Sequence, residues 1–168
     1  MDGDTYRLAV LAHKNRVFGY AVRLLADRDD ARDVAQEALV RLWEHREKVP
    51  EVATARAWLL KTAHRLCVDR VRASAWEEEP EQLALAVDPT ARSPEATASS
   101  RQLGEVLSAT LGAMAPRDRA VLLLRDVEGL SYEECAEVLE VPLGTLKAIL
   151  HRARERARLR LSAAGVTP

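Results

Sequence analysis

A cluster of cationic side chains near the C-terminal end of the chain has the chemistry to bind nucleic-acid phosphates. Lys147 and His151 are followed by closely spaced arginines up to Arg160, with Glu155 as the only acid among them. Such cations can neutralise phosphates, and an arginine can donate paired hydrogen bonds to guanine in the major groove of DNA. The same residues could instead form the solvated face of a core helix, and this stretch alone leaves both interpretations open.

A short helix, a tight turn and a second helix are predicted to position these cations. Ser131 followed by Glu134 is a capping box, which starts the first helix, and Pro142 suits the first position of the second. Along the second helix, apolar residues repeat at helical spacing and the cations lie off their stripe. The stripe consists of Leu146, Leu150, Ala153, Ala157 and Leu161. This arrangement is typical of a helix-turn-helix, whose second helix enters the major groove.

The rest of the chain is predicted to be helical as well. Only 7 Gly, 7 Pro and 1 Phe occur in 168 residues, alongside many Ala, Leu, Arg and Glu. Periodicity and cap residues predict helices over 5–26, 30–47, 55–73, 94–111 and 116–127. Thr54 is the expected N-cap of the third helix, and Gly129 the expected terminator of the fifth.

The composition changes between residues 74 and 93, which are rich in acids and prolines and hold no basic residue before Arg92. This pattern predicts a mobile linker. The expected organisation is therefore an all-α protein with two small helical domains, a three-helix bundle over 1–73 and a helix-turn-helix domain over 94–168, joined by a flexible acidic linker over 74–93.

The net charge of −1 does not argue against nucleic-acid binding, because the charge is segmental. Residues 1–72 hold 14 basic and 11 acidic residues, residues 73–112 hold 2 and 7, and residues 142–168 hold 6 and 1. The segment charges are thus +3, −5 and +5. Phosphate contacts depend on local positive potential and not on the sum.

Several classes of protein are not expected. No apolar run reaches membrane-spanning length, and residues 1–4 lack the basic start of a signal peptide, so a cytoplasmic location is the default expectation. Cys67 and Cys135 are expected to be buried thiols and not a disulfide. The sequence has no glycine-rich phosphate loop, metal-ligand cluster or nucleophile–base arrangement, so neither an enzyme nor a cofactor is expected.

Two N-terminal helices carry surfaces that suit a partner. The helix over 30–47 has a mixed polar and apolar outer face near Trp43, which suits docking onto a partner helix. The helix over 55–73 combines Trp58 with several cations, which suits unpaired DNA because a base can stack while phosphates are neutralised. Both tryptophans could equally be core residues of ordinary surface helices.

Two motifs place these helices in a known context. The first reads DARDVAQEALVRLW over 30–43, then AWLL over 57–60 and VDRVR over 68–72. The second reads PRDRAVLLLRDVEGLSYEE over 116–134, then GTLK over 144–147 and LHRAR over 150–154. They resemble domains 2 and 4 of the extracytoplasmic-function group of bacterial sigma factors, the smallest members of the sigma-70 family. The resemblance covers nearly the whole chain except the linker.

This resemblance implies that the chain binds core RNA polymerase, directs it to promoters and helps to melt DNA at the start site. It implies contacts with the β′ clamp helices and the β flap of the polymerase, and control by an anti-sigma factor. It also implies that the linker lets the two domains span separated promoter elements on polymerase, and fold together when an anti-sigma factor holds the protein inactive.

The resemblance implies three sets of site residues. The second helix would meet polymerase through Asp33, Gln36, Glu37, Leu39 and Trp43. The third would read the −10 element, partly as unpaired bases, through Trp58, Lys61, Arg65, Asp69, Arg70 and Arg72. The C-terminal domain would read the −35 element as duplex through Arg119, Thr145, Lys147, Ala148, His151, Arg152 and Arg154.

The sequence departs from the family pattern at four positions, one of which is Arg32, where the usual Asp-Ala-Glu-Asp has Glu. Arg65 stands where the family often has Asn, and Ala148 and Ile149 replace a hydroxyl and a guanidinium that usually face DNA. Since isoleucine can make only apolar contacts, such as with a thymine methyl, we expect an atypical or weaker −35 contact. Two alternatives stay open: a helix-turn-helix regulator that binds operator DNA without polymerase, and a sigma-like protein that acts mainly through protein contacts.

Overall fold

The computed structural model describes residues 1–77 and 98–166, and every regular element within these ranges is helical. The first three helices are α1 (Gly3–Leu25), α2 (Arg28–Glu44) and α3 (Val52–Glu77), with a 3₁₀ turn at Arg46–Lys48. The remaining four are α4 (Ala98–Gly112), α5 (Pro116–Leu122), α6 (Tyr132–Leu139) and α7 (Leu143–Ala163). The all-α prediction is confirmed.

Side-chain caps explain where several helices begin. Asp2 accepts a 2.8 Å hydrogen bond from the Thr5 amide at the start of α1, and Asp27 accepts one of 2.8 Å from the Asp30 amide at the start of α2. These bonds satisfy amides that the first helical turn leaves unpaired. Because Asp27 is the cap, α2 begins two residues before the predicted start at residue 30.

Helix α3 is longer at both ends than predicted. It begins at Val52, so Thr54 is not its N-cap: the Thr54 hydroxyl lies inside the first turn and donates to the Glu51 carbonyl at 2.9 Å. It continues to Glu77, beyond the predicted domain boundary at residue 73. The remainder of the predicted linker and the predicted start of the fourth helix at residue 94 lie outside the described residues.

Helices α1, α2 and α3 pack together as a three-helix bundle. Its core is apolar and close-packed, as the periodicity predicts. The buried residues include Val17, Tyr20, Ala21, Val34, Ala38, Leu42, Leu59, Leu60 and Ala63. Cys67 is buried in the same core, and both it and Cys135 are free thiols, as expected.

The helix-turn-helix forms as predicted, with small differences. Ser131 and Glu134 make both hydrogen bonds of the capping box, at 3.1 and 2.7 Å. Pro142 precedes α7 as its N-cap residue and is not its first helical residue. Instead of one regular helix over 116–127, α5 is followed by a π-helical turn at Leu123–Val127, and Gly129 then adopts the left-handed conformation (φ +71°) that glycine tolerates best.

The N-terminal bundle and the C-terminal helices pack against each other. Helix α3 contacts α6, and α1 contacts α4 and α5. A cleft of about 610 Å³ lies between them, bordered by α3 on one side and by Pro116, Val138 and Leu139 on the other. In the part of the chain that the structure describes, no helix combines the length and apolarity that a bilayer crossing requires.

Candidate nucleic-acid and protein interfaces

The outer face of α7 presents the residues predicted to meet duplex DNA. Leu146, Leu150 and Ala153 are buried against α5 and α6, as the apolar stripe predicts. With about 100° between successive residues, the opposite face points to solvent. The exposed residues on it are Thr145, Lys147, Ala148, His151, Arg152 and Arg154. The helix therefore offers an open surface that carries three cations, Lys147, Arg152 and Arg154.

Ile149 does not belong to this open surface. Its side chain is only 3% exposed, whereas Ala148 beside it is exposed. The expectation that Ile149 faces DNA, and with it the suggested contact with a thymine methyl, is therefore wrong for this fold. An isoleucine at this position adds to the core of the domain, and a cation that the family pattern would place here is absent.

Tyr132, the first residue of α6, contacts cations beside the exposed outer face of α7, which we name the recognition face. Its ring lies 4.8 Å from the Arg125 guanidinium carbon and 5.9 Å from Lys147 Nζ, both within cation–π range. Arg154 donates to Asp126 at 2.5 and 3.1 Å, and this ion pair raises the pKa of Arg154 above its ordinary value. Lys147 and Arg154 are thereby held by side chains outside α7.

Arg119 corrects the predicted −35 set, because its side chain is only 1% exposed. It donates to the carbonyls of Leu111, Gly112 and Met114 at 2.7, 2.9 and 3.2 Å, and more loosely to the carbonyl of Leu24 at 3.4 Å. The ends of α1 and α4 carry partial negative charge, which suits a buried guanidinium. Arg119 thus joins the two halves of the protein instead of facing DNA.

Five of the predicted −10 residues share one face of α3: Trp58, Lys61, Arg65, Asp69 and Arg72. Two of them are paired with carboxylates at the end of α6, although the Arg65 side chain stays 57% exposed. Lys61 Nζ lies 2.5 Å from the Glu137 carboxylate, and Arg65 donates twice to Glu140, through Nε at 3.0 Å and through Nη2. Asp69 and Arg72 are exposed and border the cleft.

Arg70, the sixth residue of that set, points elsewhere. It lies about 120° from Trp58 around the helix and is paired with Asp30 and, at 3.9 Å, with Asp33 of α2. Its place between α2 and α3 indicates a role in holding the bundle together. The structure therefore does not bring Arg70 onto the same surface as the other five residues.

The predicted polymerase-docking helix α2 has an open outer face. Asp33, Gln36 and Glu37 are exposed, while Leu39 is half-buried at the edge of that face. Val40, which the predicted set omits, is 51% exposed one turn after Gln36. The spacing of Val40 from Gln36 could have placed it on this face, since residues four apart lie on the same side of a helix.

Trp43 is 42% exposed at the end of this face, and its ring is fixed by two neighbours. The Tyr6 ring meets it edge-on with centroids 5.0 Å apart, and the Arg46 guanidinium lies 4.3 Å from its centroid. A large exposed ring held in one orientation is suited to binding, because little side-chain entropy is lost. We name the surface formed by Gln36, Val40 and Trp43 the α2 patch.

A buried polar pair lies beside the cleft. The Tyr20 hydroxyl and His64 Nδ1 are hydrogen-bonded at 2.8 Å between α1 and α3. Burial lowers the pKa of His64 to about 4, with Arg65 acting in the same direction and Glu140 opposing it. Burial also raises the pKa of Tyr20 well above its ordinary value, so the phenol stays protonated and can donate to a neutral imidazole.

We expect acid to destabilise the protein through His64. Its pKa is about 4 in the folded chain and about 6.5 when unfolded. Between these values the unfolded chain binds the proton, so the free energy of unfolding falls with decreasing pH, by up to about 3 kcal/mol. Denaturant unfolding from pH 7 to pH 4 measures this slope. His64→Gln, which keeps an acceptor for Tyr20, should have a shallower slope, and equal slopes in both proteins would refute the assignment.

Two family models match the chain. One, described as sigma-70 region 2, matches residues 9–77 and covers the three-helix bundle. The other, described as sigma-70, region 4, matches residues 104–156 and covers the helix-turn-helix. The two motifs, over 30–72 and 116–154, lie within these matched residues.

Curated relatives include several extracytoplasmic-function (ECF) RNA polymerase sigma factors. SigL of Mycobacterium tuberculosis is 32% identical over 157 residues, with 92% of this chain and 88% of the relative covered. SigE of Mycolicibacterium smegmatis is 34% identical over 155 residues, covering 89% of this chain. The chain spans only 58% of the length of SigE, and likewise of M. tuberculosis SigI.

Solved structures share the fold. The sigma factor RpoE in complex with the anti-sigma factor NepR, from Bartonella quintana, superimposes with a TM-score of 0.77 at 19% identity, covering 94% of this chain and 96% of RpoE. CnrH in complex with the cytosolic domain of CnrY gives a TM-score of 0.67 at 21% identity, covering 96% and 90%. On the strength of the family models and of SigL, the chain belongs to the ECF RNA polymerase sigma factors of the sigma-70 family.

Proposed function

We propose that this protein is a promoter-specificity factor that binds core RNA polymerase and directs initiation at promoters with −10 and −35 elements. The observation that carries the proposal is the presence, in one chain, of an open recognition face on α7 and of the open α2 patch. A DNA-binding regulator that works without polymerase needs the first surface and leaves the second without a role. Core polymerase works in the cytoplasm, and we place the protein there.

The α2 patch is the surface we assign to polymerase, with the β′ clamp helices as its partner. Asp33 and Glu37 border it, and Leu39 lies at its half-buried edge. The patch has apolar residues, Val40 and Trp43, with charged residues at its border. This arrangement is typical of protein interfaces, in which the apolar centre supplies affinity and the charged rim supplies specificity. We assign the β flap to the C-terminal domain. We also propose that the chain is divided functionally into residues 1–73 and 94–168.

We propose that α3 reads the −10 element through Trp58, Lys61, Arg65, Asp69 and Arg72. Cations on this face would neutralise the backbone while the tryptophan offers a surface on which an unpaired base can stack. Arg65, where the family often has Asn, has a longer cationic side chain and can donate to a base edge or a phosphate. Recognition by this face requires that α6 move away from Lys61 and Arg65.

The −35 element is assigned to the exposed face of α7. Thr145, Lys147 and Arg152 can contact phosphates or base edges, with His151 and Ala148 at the centre of the face. Arg154, held by Asp126, lies at the flank. Since Ile149 is buried and the Ala148 side chain has no polar atom, we expect fewer charged contacts than the family pattern makes. A weaker or altered −35 preference follows.

Tyr132→Leu should weaken −35 binding by holoenzyme about 3- to 10-fold, because the aromatic face that orients Lys147 and Arg125 is lost. Tyr132→Phe keeps that face and should stay within about two-fold of the wild type. Promoter affinity measured at several salt concentrations checks this. A purely structural role would lower the protein's stability in Tyr132→Leu without changing the salt dependence of binding.

Transcription from a promoter library tests the whole proposal. Purified core polymerase and the protein are incubated with templates that carry randomised −10 and −35 segments, and transcribed templates are sequenced. We expect transcripts that depend on the added protein and share a −10 sequence, with weaker selection at −35. A protein that acts only through operator DNA or protein contacts would give no dependent transcripts. Because RpoE of Bartonella quintana, which shares the fold, was solved in complex with the anti-sigma factor NepR, we also propose that an anti-sigma factor controls this protein.

A further inference from the structure

We propose that Asp126 is a specificity-determining residue for the −35 element, because it holds Arg154 in a fixed orientation at the edge of the recognition face. This inference rests on the proposed role of α7 and adds a residue outside the predicted −35 set. Asp126 acts through Arg154, so it is a positioning residue and not itself a DNA contact. We name Arg125, Asp126, Tyr132, Lys147 and Arg154 the flank cluster.

The pairing of Asp126 with Arg154 is bidentate. Nε and Nη2 of the guanidinium donate to the two carboxylate oxygens at 3.1 and 2.5 Å, so both the position and the rotation of the guanidinium are fixed. The pKa of Arg154 is raised by this hydrogen bonding and further by the Tyr132 hydroxyl. A guanidinium has five N–H donors, so the pair leaves three others for that hydroxyl and for a phosphate.

Lys147 and Arg154 form one edge of the recognition face. They are seven residues apart on α7, which is close to two helical turns, so both side chains lie on the same side of the helix. Both are held from outside α7, Lys147 by the Tyr132 ring and Arg154 by Asp126. Phosphate contacts fix the register of a protein on the duplex, so two cations held along one edge define where the DNA backbone lies.

The backbone beside Asp126 gives an independent reason to look for a function. Leu123–Val127 is a π-helical turn, closed by a 2.8 Å hydrogen bond from the Glu128 amide to the Leu123 carbonyl. Such turns are rare and occur frequently at functional sites. This one presents Asp126 to the exposed edge of α7, where it meets Arg154. Affinity for phosphate alone would not require an acid at this place.

A carboxylate beside the recognition face lowers affinity for DNA in general. Asp126 repels phosphates and neutralises part of the charge of Arg154, so it weakens the sequence-independent attraction. In the specific complex, however, an arginine that is already ordered loses less side-chain entropy when it binds its phosphate. Asp126 therefore favours the specific complex over non-specific ones. The ratio of these two affinities decides how well a protein selects its sites among competing sequences.

Affinity measurements with complete holoenzyme test this assignment. Holoenzyme made with each variant is titrated with two fluorescent promoter duplexes, one carrying a −35 segment selected from the promoter library and one with that segment scrambled. Both duplexes carry the same −10 element, so the ratio of their dissociation constants reports −35 discrimination alone. The variants are Asp126→Ala, Arg154→Gln and the combination of both.

We expect Asp126→Ala to bind the scrambled duplex about two- to three-fold tighter, because a negative charge near the phosphates is lost. The discrimination ratio should nevertheless fall about 3- to 10-fold, since Arg154 is no longer ordered before it binds. In the Arg154→Gln background, the same substitution should leave the ratio unchanged. An unchanged ratio in the wild-type background, or an equal fall in both backgrounds, would overturn the proposal. A purely structural role would weaken binding to both duplexes together, with the same consequence.

Glu133→Ala is the matched control, because it removes an exposed acid next to Tyr132 and leaves the pair of Asp126 and Arg154 intact. Its discrimination ratio should equal that of the wild type, and a fall as large as that of Asp126→Ala would assign the effect to charge alone and refute positioning. Wild-type holoenzyme that binds both duplexes equally would refute the −35 role of α7 and this inference with it. Wild-type discrimination that survives in Asp126→Ala would refute only the role of Asp126.

Discussion

Arg119→Ala is expected to lower the free energy of unfolding by at least about 3 kcal/mol. The substitution removes the side-chain donors of the Gly112 and Met114 carbonyls and one of the two donors of the Leu111 carbonyl, and it leaves a cavity where the guanidinium lay. Each unsatisfied buried acceptor costs about 1–3 kcal/mol, and the cavity adds to this. Chemical denaturation at neutral pH measures the loss.

Arg117 supplies a matched control for this experiment. It is exposed on the same helix, two residues before Arg119, and Arg117→Ala should change stability by no more than about 0.5 kcal/mol. If Arg119→Ala retained wild-type stability while losing affinity for the −35 element, Arg119 would be a DNA contact and its assignment as the buried connection between the two halves would be wrong.

Val40→Glu is expected to reduce affinity for core polymerase about 100-fold while leaving the fold intact. Val40 is exposed at the centre of the α2 patch, between Gln36 and Trp43, so the new carboxylate meets solvent in the free protein but would be desolvated in the complex. Burying an unpaired charge at an interface costs several kcal/mol, although water retained at the rim reduces the cost. Titration of labelled core polymerase with the variant gives the affinity.

The control for Val40→Glu is the same kind of change at another exposed apolar residue. Leu8 on α1 is 59% exposed and lies outside the α2 patch. Leu8→Glu should bind polymerase like the wild type. Equal losses in the two variants would indicate a general effect of charge or stability, and unchanged affinity of Val40→Glu would remove the α2 patch from the polymerase interface.

Local sequence signals predicted most of the fold because they act within a few residues. The capping box at Ser131 and Glu134 needs only one helical turn, and it formed as predicted. The same holds for the apolar stripe through Leu146, Leu150 and Ala153. The prediction that Thr54 caps α3 was wrong because the helix begins about one turn earlier, at Val52. Tertiary contacts can override a cap preference at a helix start.

The residues that the sequence could not place are those whose role depends on distant partners. An arginine in a basic segment that resembles a DNA-binding domain is easily predicted to contact phosphate. The residues next to Arg119 in the sequence do not reveal that two helix ends converge on it. The burial of Ile149 could not be predicted for the same reason, since its position at the edge of the buried face depends on how α7 packs on α5. Glu137 and Glu140 read as an ordinary acidic surface until α3 lies against them.

Promoter affinity with and without core polymerase tests the central claim most directly. A fluorescent duplex carrying both promoter elements is titrated with the protein alone, and then with the protein and an excess of core polymerase, at the same salt concentration. Because Lys61 and Arg65 of the −10 face are paired with carboxylates in the free protein and the −35 face offers only three cations, we predict sequence-specific binding at least about 100-fold tighter with polymerase. Equally tight, sequence-specific binding by the protein alone would contradict the account and identify an operator-binding regulator instead.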